Sequence, residues 1–230
     1  MEIQPIAHFR SPLTSKFGIP RQSGLVEQLK GIIVLEPAYR TVEALRGLDD
    51  YDYLWLIWQF SENVTAPKHP TVRPPLLGGN RSMGVFATRS SFRPNNLALS
   101  SVRIHSIVLH GADAPYIVVS GADLMDGTPI YDIKPYLPYA DSHADARGGM
   151  TDRYQWERLS VVLPEAMQRD FSGEQLQALH ELLALDPRPH YHDAPQRVYG
   201  MPFAGWDVRF RVAHKQLTVV EWVKISPDFE

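Results

Sequence analysis

The sequence predicts a mainly β protein: a single amino-terminal β-barrel domain followed by a small α+β domain. Three observations lead there. Short apolar stretches recur through residues 1–140, separated by Pro- or Gly-bearing joints such as PRQSG, APKHPTVRPPLLGGN and LMDGTPIYD. Such punctuation suits a barrel or sandwich better than alternating β and α units. At 141–151 a small, polar, glycine-rich stretch, DSHADARGGMT, interrupts the pattern and reads as a linker. Beyond it come one amphipathic helical stripe and one alternating hairpin. The expected boundaries are a barrel over 1–140, a linker over 141–155 and an α+β domain over 156–230.

Each element has its own signal. Strands are expected at Ile3–Phe9, Gly31–Leu35, Tyr53–Phe60, Met83–Thr88, Leu97–Leu109 and Tyr116–Gly121. The third, YLWLIWQF, is apolar enough for burial on both faces. A short helix over Thr41–Gly47 stops at its glycine. After the linker, Trp156–Leu163 reads as a strand. Ser172 and Gln175 form a capping box ahead of Leu176, Leu179, Leu182 and Leu183, which share one helical face. Pro187 ends that helix by Asp186. WDVRFRV (206–212) alternates, AHKQ turns, and LTVVEWVKI returns, giving a hairpin. A unit of about 80 residues is marginal by itself, so the tail is expected to dock on the barrel.

Composition narrows the function classes. The chain has 230 residues, 44% apolar and 21% charged, which excludes wholesale disorder. Its longest unbroken apolar run, Tyr53–Trp58, is far short of the roughly 20 residues of a membrane helix. The start, MEIQPIAHFR, lacks the basic-then-apolar order of a secretory signal, so a cytoplasmic location is expected. With no cysteine, disulfides, thiolate metal sites and a cysteine nucleophile are excluded. Net charge is −3, yet Asn63–Ala112 contains no Asp or Glu while holding Lys68, Arg73, Arg81, Arg89, Arg93 and Arg103. At the chain's average acid content that span would hold about five or six carboxylates. A local positive field for anionic groups is one reading and a solvated basic face is the other.

Three segments concentrate chemistry. In Gly84–Ser100, a strand leads into a loop carrying Arg89, Ser90, Ser91, Arg93, Asn95 and Asn96. Its guanidiniums either grip carboxylate or phosphate or staple their own loop through its carbonyls. Ala122–Tyr139 holds Asp123, Asp126 and Asp132 together with Lys134 and three tyrosines. Asp126-Gly127 is a tight-turn signal, so Asp126 either caps that turn or, with Asp123, lines a pocket as hydrogen-bond or proton acceptor. Pro20–Gly24 is a polar loop able to offer N–H groups or merely to turn. No GxGxxG after a strand, no GxxxxGK[ST] and no GxSxG is present, which speaks against Rossmann, P-loop and serine-elbow chemistry. His190-x-His192 beside Asp193 lies among prolines and without further ligands nearby, so solvated imidazoles are expected in place of a metal site.

Taken together, PRQSGLV, RGLDDYDYLWLIWQF, TVRPPLLGGNRSMGVFATRSSFRPNNLALS and DLMDGTPIYDIKPYLPYAD resemble, in order, the TsaA-like (TrmO) tRNA methyltransferases. DPRPHY and DVRFRV resemble the carboxyl-terminal part of the longer bacterial members. The resemblance implies one β-barrel that binds S-adenosylmethionine without a Rossmann fold. It further implies methylation of N6 of threonylcarbamoyladenosine, 3′-adjacent to the tRNA anticodon, by a homodimer that needs neither metal nor membrane.

By position, the resemblance puts cofactor contacts on Gln22, Ser23, Gly24, Phe60, Ser61, Arg89, Leu99 and the run Asp123, Leu124, Met125, Asp126, Gly127 and Thr128. Asp126 is the candidate catalytic residue. Arg93, Asn95, Lys134, Tyr136 and Arg188 are candidate tRNA contacts, with Arg209 and Arg211 on an exposed, salt-bridged strand face as weaker ones. The chain departs from the family's RPNPIG, reading RPNNLA over 93–98; Ser23 stands for a common proline and Ser61 for a histidine of some relatives. These departures keep a second function open, a non-catalytic RNA- or nucleotide-binding barrel. A metal hydrolase built on His190 and His192 is a third.

Overall fold

The computed structural model describes residues 2–63, 69–74, 81–153, 157–188 and 194–225. Its first part is built from β1 (Ala7–Arg10), β2 (Lys30–Leu35), β3 (Tyr53–Gln59), β6 (Leu97–Val108), β7 (Tyr116–Ser120) and β8 (Thr128–Pro135). These close into a barrel in the order β1-β2-β7-β6-β3-β8, with β8 returning to β1 and every pairing antiparallel. Closure leaves no unpaired edge among the six strands. Two short strands, β4 (Thr71–Val72) and β5 (Met83–Gly84), pair outside the barrel.

Alternation decides which side chains fill it. Phe9, Ile33, Leu54, Leu56, Ile117, Val119, Leu124 and Ile130 are buried in its core. In β3 only Leu54, Leu56 and Trp58 are fully buried, while Trp55 and Ile57 between them are half-buried. The expectation of burial on both faces is thus corrected: a closed barrel has one interior, and the outer face of β3 is covered only in part. Thr41 caps a 3-10 turn at Val42–Leu45 in place of the expected short helix.

Two further expectations change. Met83–Thr88 is a strand for only two residues and then a 3-10 turn, Val85–Ala87. Asp126-Gly127 and Pro129 make residues 124–132 read as a joint, yet β8 begins directly after that turn. Pro129 faces His8 in the β1 ladder, a pairing local pattern does not reveal.

The second part comprises β9 (Ser160–Val162), the helix Gly173–Ala184 and β10 (Tyr199–Phe203), β11 (Trp206–Ala213) and β12 (Gln216–Lys224). Its sheet runs β10-β11-β12-β9, with β9 parallel to β12. The expected capping box is present: Ser172 Oγ accepts from Gln175 N–H, and Gln175 accepts from Ser172 N–H. β10 has no clear signal in the sequence because it carries Gly200 and Pro202; as an edge strand it tolerates the missing donor.

Leu179, Leu182 and Leu183 of the helix pack with Val208, Phe210, Val212, Leu217 and Val219 of the sheet. Leu13, Val26 and Leu29, from the β1–β2 connection, are buried in this same core. The connection is therefore a seam between barrel and tail. Ala204 N–H donates to Pro12 O at 2.9 Å, and Lys30 pairs with Glu174 at 2.8 Å. A Cβ on Gly18 would meet Met201 Sδ at 2.2 Å, so glycine permits the close approach there.

Candidate active site

The β1–β2 connection, having crossed the seam, delivers Gln22, Ser23 and Gly24 to one end of the barrel. Gly24 N–H donates to Gly121 O at 2.8 Å, tying this loop to the segment that follows β7. Two residues further on, Asp123 is half-buried. Ser100 Oγ, inside β6, donates to Asp123 Oδ1 at 2.6 Å, and Trp58 Nε1, inside β3, donates to Ser100 Oγ at 3.0 Å. Trp58 and Ser100 are 5% and 2% exposed, so this donor chain is shielded from water.

Burial pushes the Asp123 carboxyl above its ordinary value; the Ser100 hydroxyl, backbone amides at Asp123 and Ser23, and the Arg89 charge oppose that rise in part. Arg89 also donates to Gln22 Oε1. The Ser23 loop, the 85–96 loop, strands β3 and β6 and the segment after β7 therefore meet at one carboxylate.

Phe60 closes the same end. Its ring packs edge-on to Trp58, with centroids 4.6 Å apart, and its N–H donates to Asn96 O at 2.9 Å. Asn96 has φ 52. A pyrrolidine ring cannot take that torsion, so a proline at this position would require another backbone shape. Arg93 acts as a staple: its Nη1 donates to Thr88 O at 2.7 Å and to Val85 O at 3.4 Å. Asn95 beside it is exposed.

Asp126 has partners of its own. Its Oδ1 accepts from Ser11 N–H at 2.8 Å, its N–H donates to Leu13 O, and Gly127 N–H donates to Phe9 O. The Asp126-Gly127 turn is thereby clamped to the end of β1, and Asp126 remains exposed. Leu124 is fully buried in the barrel core. Met125 O accepts the Thr128 hydroxyl at 2.7 Å. Ser61 is exposed beside Phe60. Leu99 is 52% exposed and, by strand parity, lies opposite the inward-facing Ser100.

The remaining candidates are not gathered here. Lys134 lies near the far end of β8 and Tyr136 just beyond it; there Lys134 pairs with Asp132 at 2.9 Å and the Tyr136 ring contacts Trp55 and Tyr53. From Thr128 to Lys134 the strand spans roughly 20 Å. Arg188 makes a two-pronged pair with Asp186, both bonds 2.8 Å. Asp186 and Pro187 line a cleft with Lys16–Arg21, the stretch that leads into Gln22. Arg209 is paired to both Asp207 and Glu221, the exposed salt-bridged face expected of it, and Arg211 is exposed. Lys68, His190, His192 and Asp193 fall outside the described residues. Among the described residues no three metal-ligating side chains cluster, and no helix is long and apolar enough to cross a membrane.

Trp58 and Ser100 are site residues that sequence reasoning misses. Trp58 looks like core within YLWLIWQF. The available signal is parity: a serine at an inward position of an otherwise apolar strand needs a buried partner.

A closed antiparallel barrel with loops gathered on a carboxylate at one end agrees with the class that the sequence resemblance implies, the barrel-type methyltransferases. Residues 8–142 match the tRNA-methyltransferase O N-terminal domain, and residues 157–225 match the TrmO C-terminal domain. The tRNA (adenine(37)-N6)-methyltransferase of Escherichia coli (strain K12) is 36% identical over 92% of this chain and 93% of its own length. The protein of the same description from Eikenella corrodens is 42% identical over 75% of this chain and 97% of its own. The crystal structure of TrmO from Pseudomonas aeruginosa superposes with a TM-score of 0.78 at 32% identity, covering 97% of this chain and 98% of that one. The chain belongs to the TrmO family of tRNA methyltransferases.

Proposed function

We propose that this protein transfers a methyl group from S-adenosylmethionine to N6 of adenosine 37 of tRNA, that the base carries a threonylcarbamoyl group, and that the enzyme works as a cytoplasmic homodimer. Support for the reaction comes from the family and from relatives described by that activity and that donor. The observation that carries the site reading is the convergence of Ser23, Ser100, Arg89 and Asp123 from four separate segments.

The residues present fit the donor. A Cβ on Gly24 or on Gly127 would have nothing within 4 Å, so backbone at both turns is open to a ligand. Asp123 offers a carboxylate to hydroxyl or amino donors, Arg89 with Gln22 suits the donor's carboxylate, and Phe60 and Leu99 offer apolar surface. S-adenosylmethionine, when bound, supplies a methyl group activated by a positive sulfur that leaves as a neutral thioether. Since that positive charge vanishes during transfer, a carboxylate pressed on the sulfur would favour the starting state and slow the step. Asp123 is therefore assigned to hydroxyl or amino contacts, and Asp126 to accepting the N6 proton.

Most of the rate enhancement then comes from alignment of N6 with the methyl carbon. The acid-free span holding Arg89 and Arg93, with Asn95, suits the threonine carboxylate and the anticodon-loop phosphates. Lys134, Tyr136 and Arg188, lying away from the hollow, suit contacts beyond the reacting base.

Calorimetric titration with S-adenosylmethionine, followed by transfer assays on threonylcarbamoylated and unmodified tRNA, tests this reading. Saturable binding and transfer to the modified tRNA alone are expected. Equal transfer to both tRNAs overturns the threonylcarbamoyl assignment. Binding with no transfer to either leaves a non-catalytic RNA-binding barrel.

A further inference from the structure

The Trp58–Ser100–Asp123 chain runs from the packed interior of the barrel to the candidate site at its end. Ser100 is among only three polar residues buried in the described structure. A buried hydroxyl costs stability unless both its hydrogen and its lone pair are used. Here both are. Trp58 Nε1 has a hydrogen to give and no lone pair to accept with, so its bond to Ser100 Oγ at 3.0 Å forces the serine to be an acceptor on that side. The Ser100 hydrogen is then directed to Asp123 Oδ1, 2.6 Å away. The indole thus sets the direction of the whole chain.

We propose that Trp58 and Ser100 are positioning residues of the cofactor site: a one-way donor chain that orients the Asp123 carboxylate and holds it ionised, so that it accepts hydrogen bonds from the hydroxyl or amino groups of S-adenosylmethionine. The inference rests on the reading of this hollow as the donor's site. The groups facing Asp123 support it. From β6 comes the Ser100 hydroxyl, from the first loop the Ser23 amide, and from the 85–96 loop the positive Arg89. Each favours the charged carboxylate, and burial alone opposes it. Asp126, the nearest acid in sequence, is turned to Ser11 N–H. Removing the serine donor leaves burial less opposed, so Asp123 holds its proton to higher pH. In that protonated form it ceases to be an all-acceptor group.

The test is the affinity for S-adenosylmethionine, measured by calorimetry between pH 4.5 and 8, an experimental range of about three and a half units above the ordinary aspartate value. Wild type is expected to lose affinity on the acid side. Ser100→Ala is expected to move that loss to higher pH and to weaken binding about three- to tenfold at its midpoint in wild type. Trp58→Phe keeps an aromatic side chain, smaller than the indole, and deletes the N–H, so a smaller shift in the same direction is expected. Asp123→Asn cannot titrate and is expected to show no acid-side loss.

Circular dichroism establishes that each variant is folded. Should Ser100→Ala fail to fold, Trp58→Phe carries the test alone. An acid-side loss at the wild-type pH in a folded Ser100→Ala or, failing that, Trp58→Phe overturns the proposal while the cofactor reading stands. Persistence of the loss in Asp123→Asn overturns it in the same way. If wild type binds no S-adenosylmethionine at any pH, the cofactor reading itself fails.

Discussion

Gly24 and Gly121 meet backbone to backbone. The Gly24 N–H lies 2.8 Å from the Gly121 carbonyl, and both residues have left-handed torsions, φ 81 and φ 76. This contact joins the loop carrying Ser23 to the segment carrying Asp123. A Cβ at Gly121 would sit 3.5 Å from Gly24 Cα, which is ordinary contact, so the cost of a side chain there is torsional. Gly121→Ala is expected to lose about 1 kcal/mol of stability, read as a fall of roughly 2–4 °C in melting temperature for a chain of this size. Affinity for S-adenosylmethionine should fall with it. An unchanged melting curve would show that the left-handed torsion at 121 carries no cost for a side chain.

Asp126 has two separable jobs, one observed and one proposed. Its carboxylate accepts Ser11 N–H, and an amide oxygen can do the same. Asp126→Asn is therefore expected to melt with wild type while losing most methyl transfer, at least about tenfold, a typical minimum for a lost proton acceptor being larger still. Asp126→Ala should in addition lose about 1 kcal/mol through the orphaned amide. Wild-type transfer by Asp126→Asn would leave the residue a turn clamp and nothing more.

Asn96 tests whether the RPNNLA loop differs in shape from the family's RPNPIG. At φ 52 the residue is buried, 3% exposed, and its N–H reaches Arg93 O at 3.3 Å. Asn96→Gly keeps the torsion and removes only what the side chain contributes, about 1 kcal/mol. Asn96→Pro must reverse the torsion and discard the N–H, so it is expected to destabilise by more than that. Equal melting temperatures for the two variants would mean that the loop adopts the proline form at no cost.

Asp141 ties the end of the barrel domain to its wall. Its Oδ2 accepts from Leu137 N–H and from Trp55 Nε1, both at 2.8 Å. These donors, the backbone amide first, hold its carboxyl below the ordinary value. A carboxylate whose folded value is depressed stabilises the fold at pH above the ordinary value, and that contribution is lost as pH falls through the depressed one. Wild type should therefore melt above Asp141→Ala at neutral pH, and the gap should close as the solution is acidified below the ordinary carboxylate range. A gap constant with pH would show that the ionised form carries none of the effect.

Much of this molecule is legible residue by residue, and the illegible part has one cause. The strands of the barrel, the capping box at Ser172 and the stop before Pro187 are local matters of alternation, side-chain reach and proline sterics. Long motifs around Arg93 and Asp126 likewise point to the family without any knowledge of contacts. What local pattern cannot decide is which strand lies beside which. β8 reads as a joint until its ladder with β1 and β3 forms, and Leu13 reads as barrel until it enters the core of the tail.

The sequence by itself determined the residue types available to the site: an acid-free arginine span, two nearby aspartates and a glycine-bearing loop. Only tertiary structure decided their duties. It aimed Asp126 at Ser11, turned Arg93 onto its own loop, and set Ser100 and Trp58 behind Asp123. It also put Lys134 and Tyr136 at the far end of β8. The physical reason is that hydrogen bonds and burial act through space. A side chain's partners come from strands distant in sequence, brought beside it only when the barrel closes.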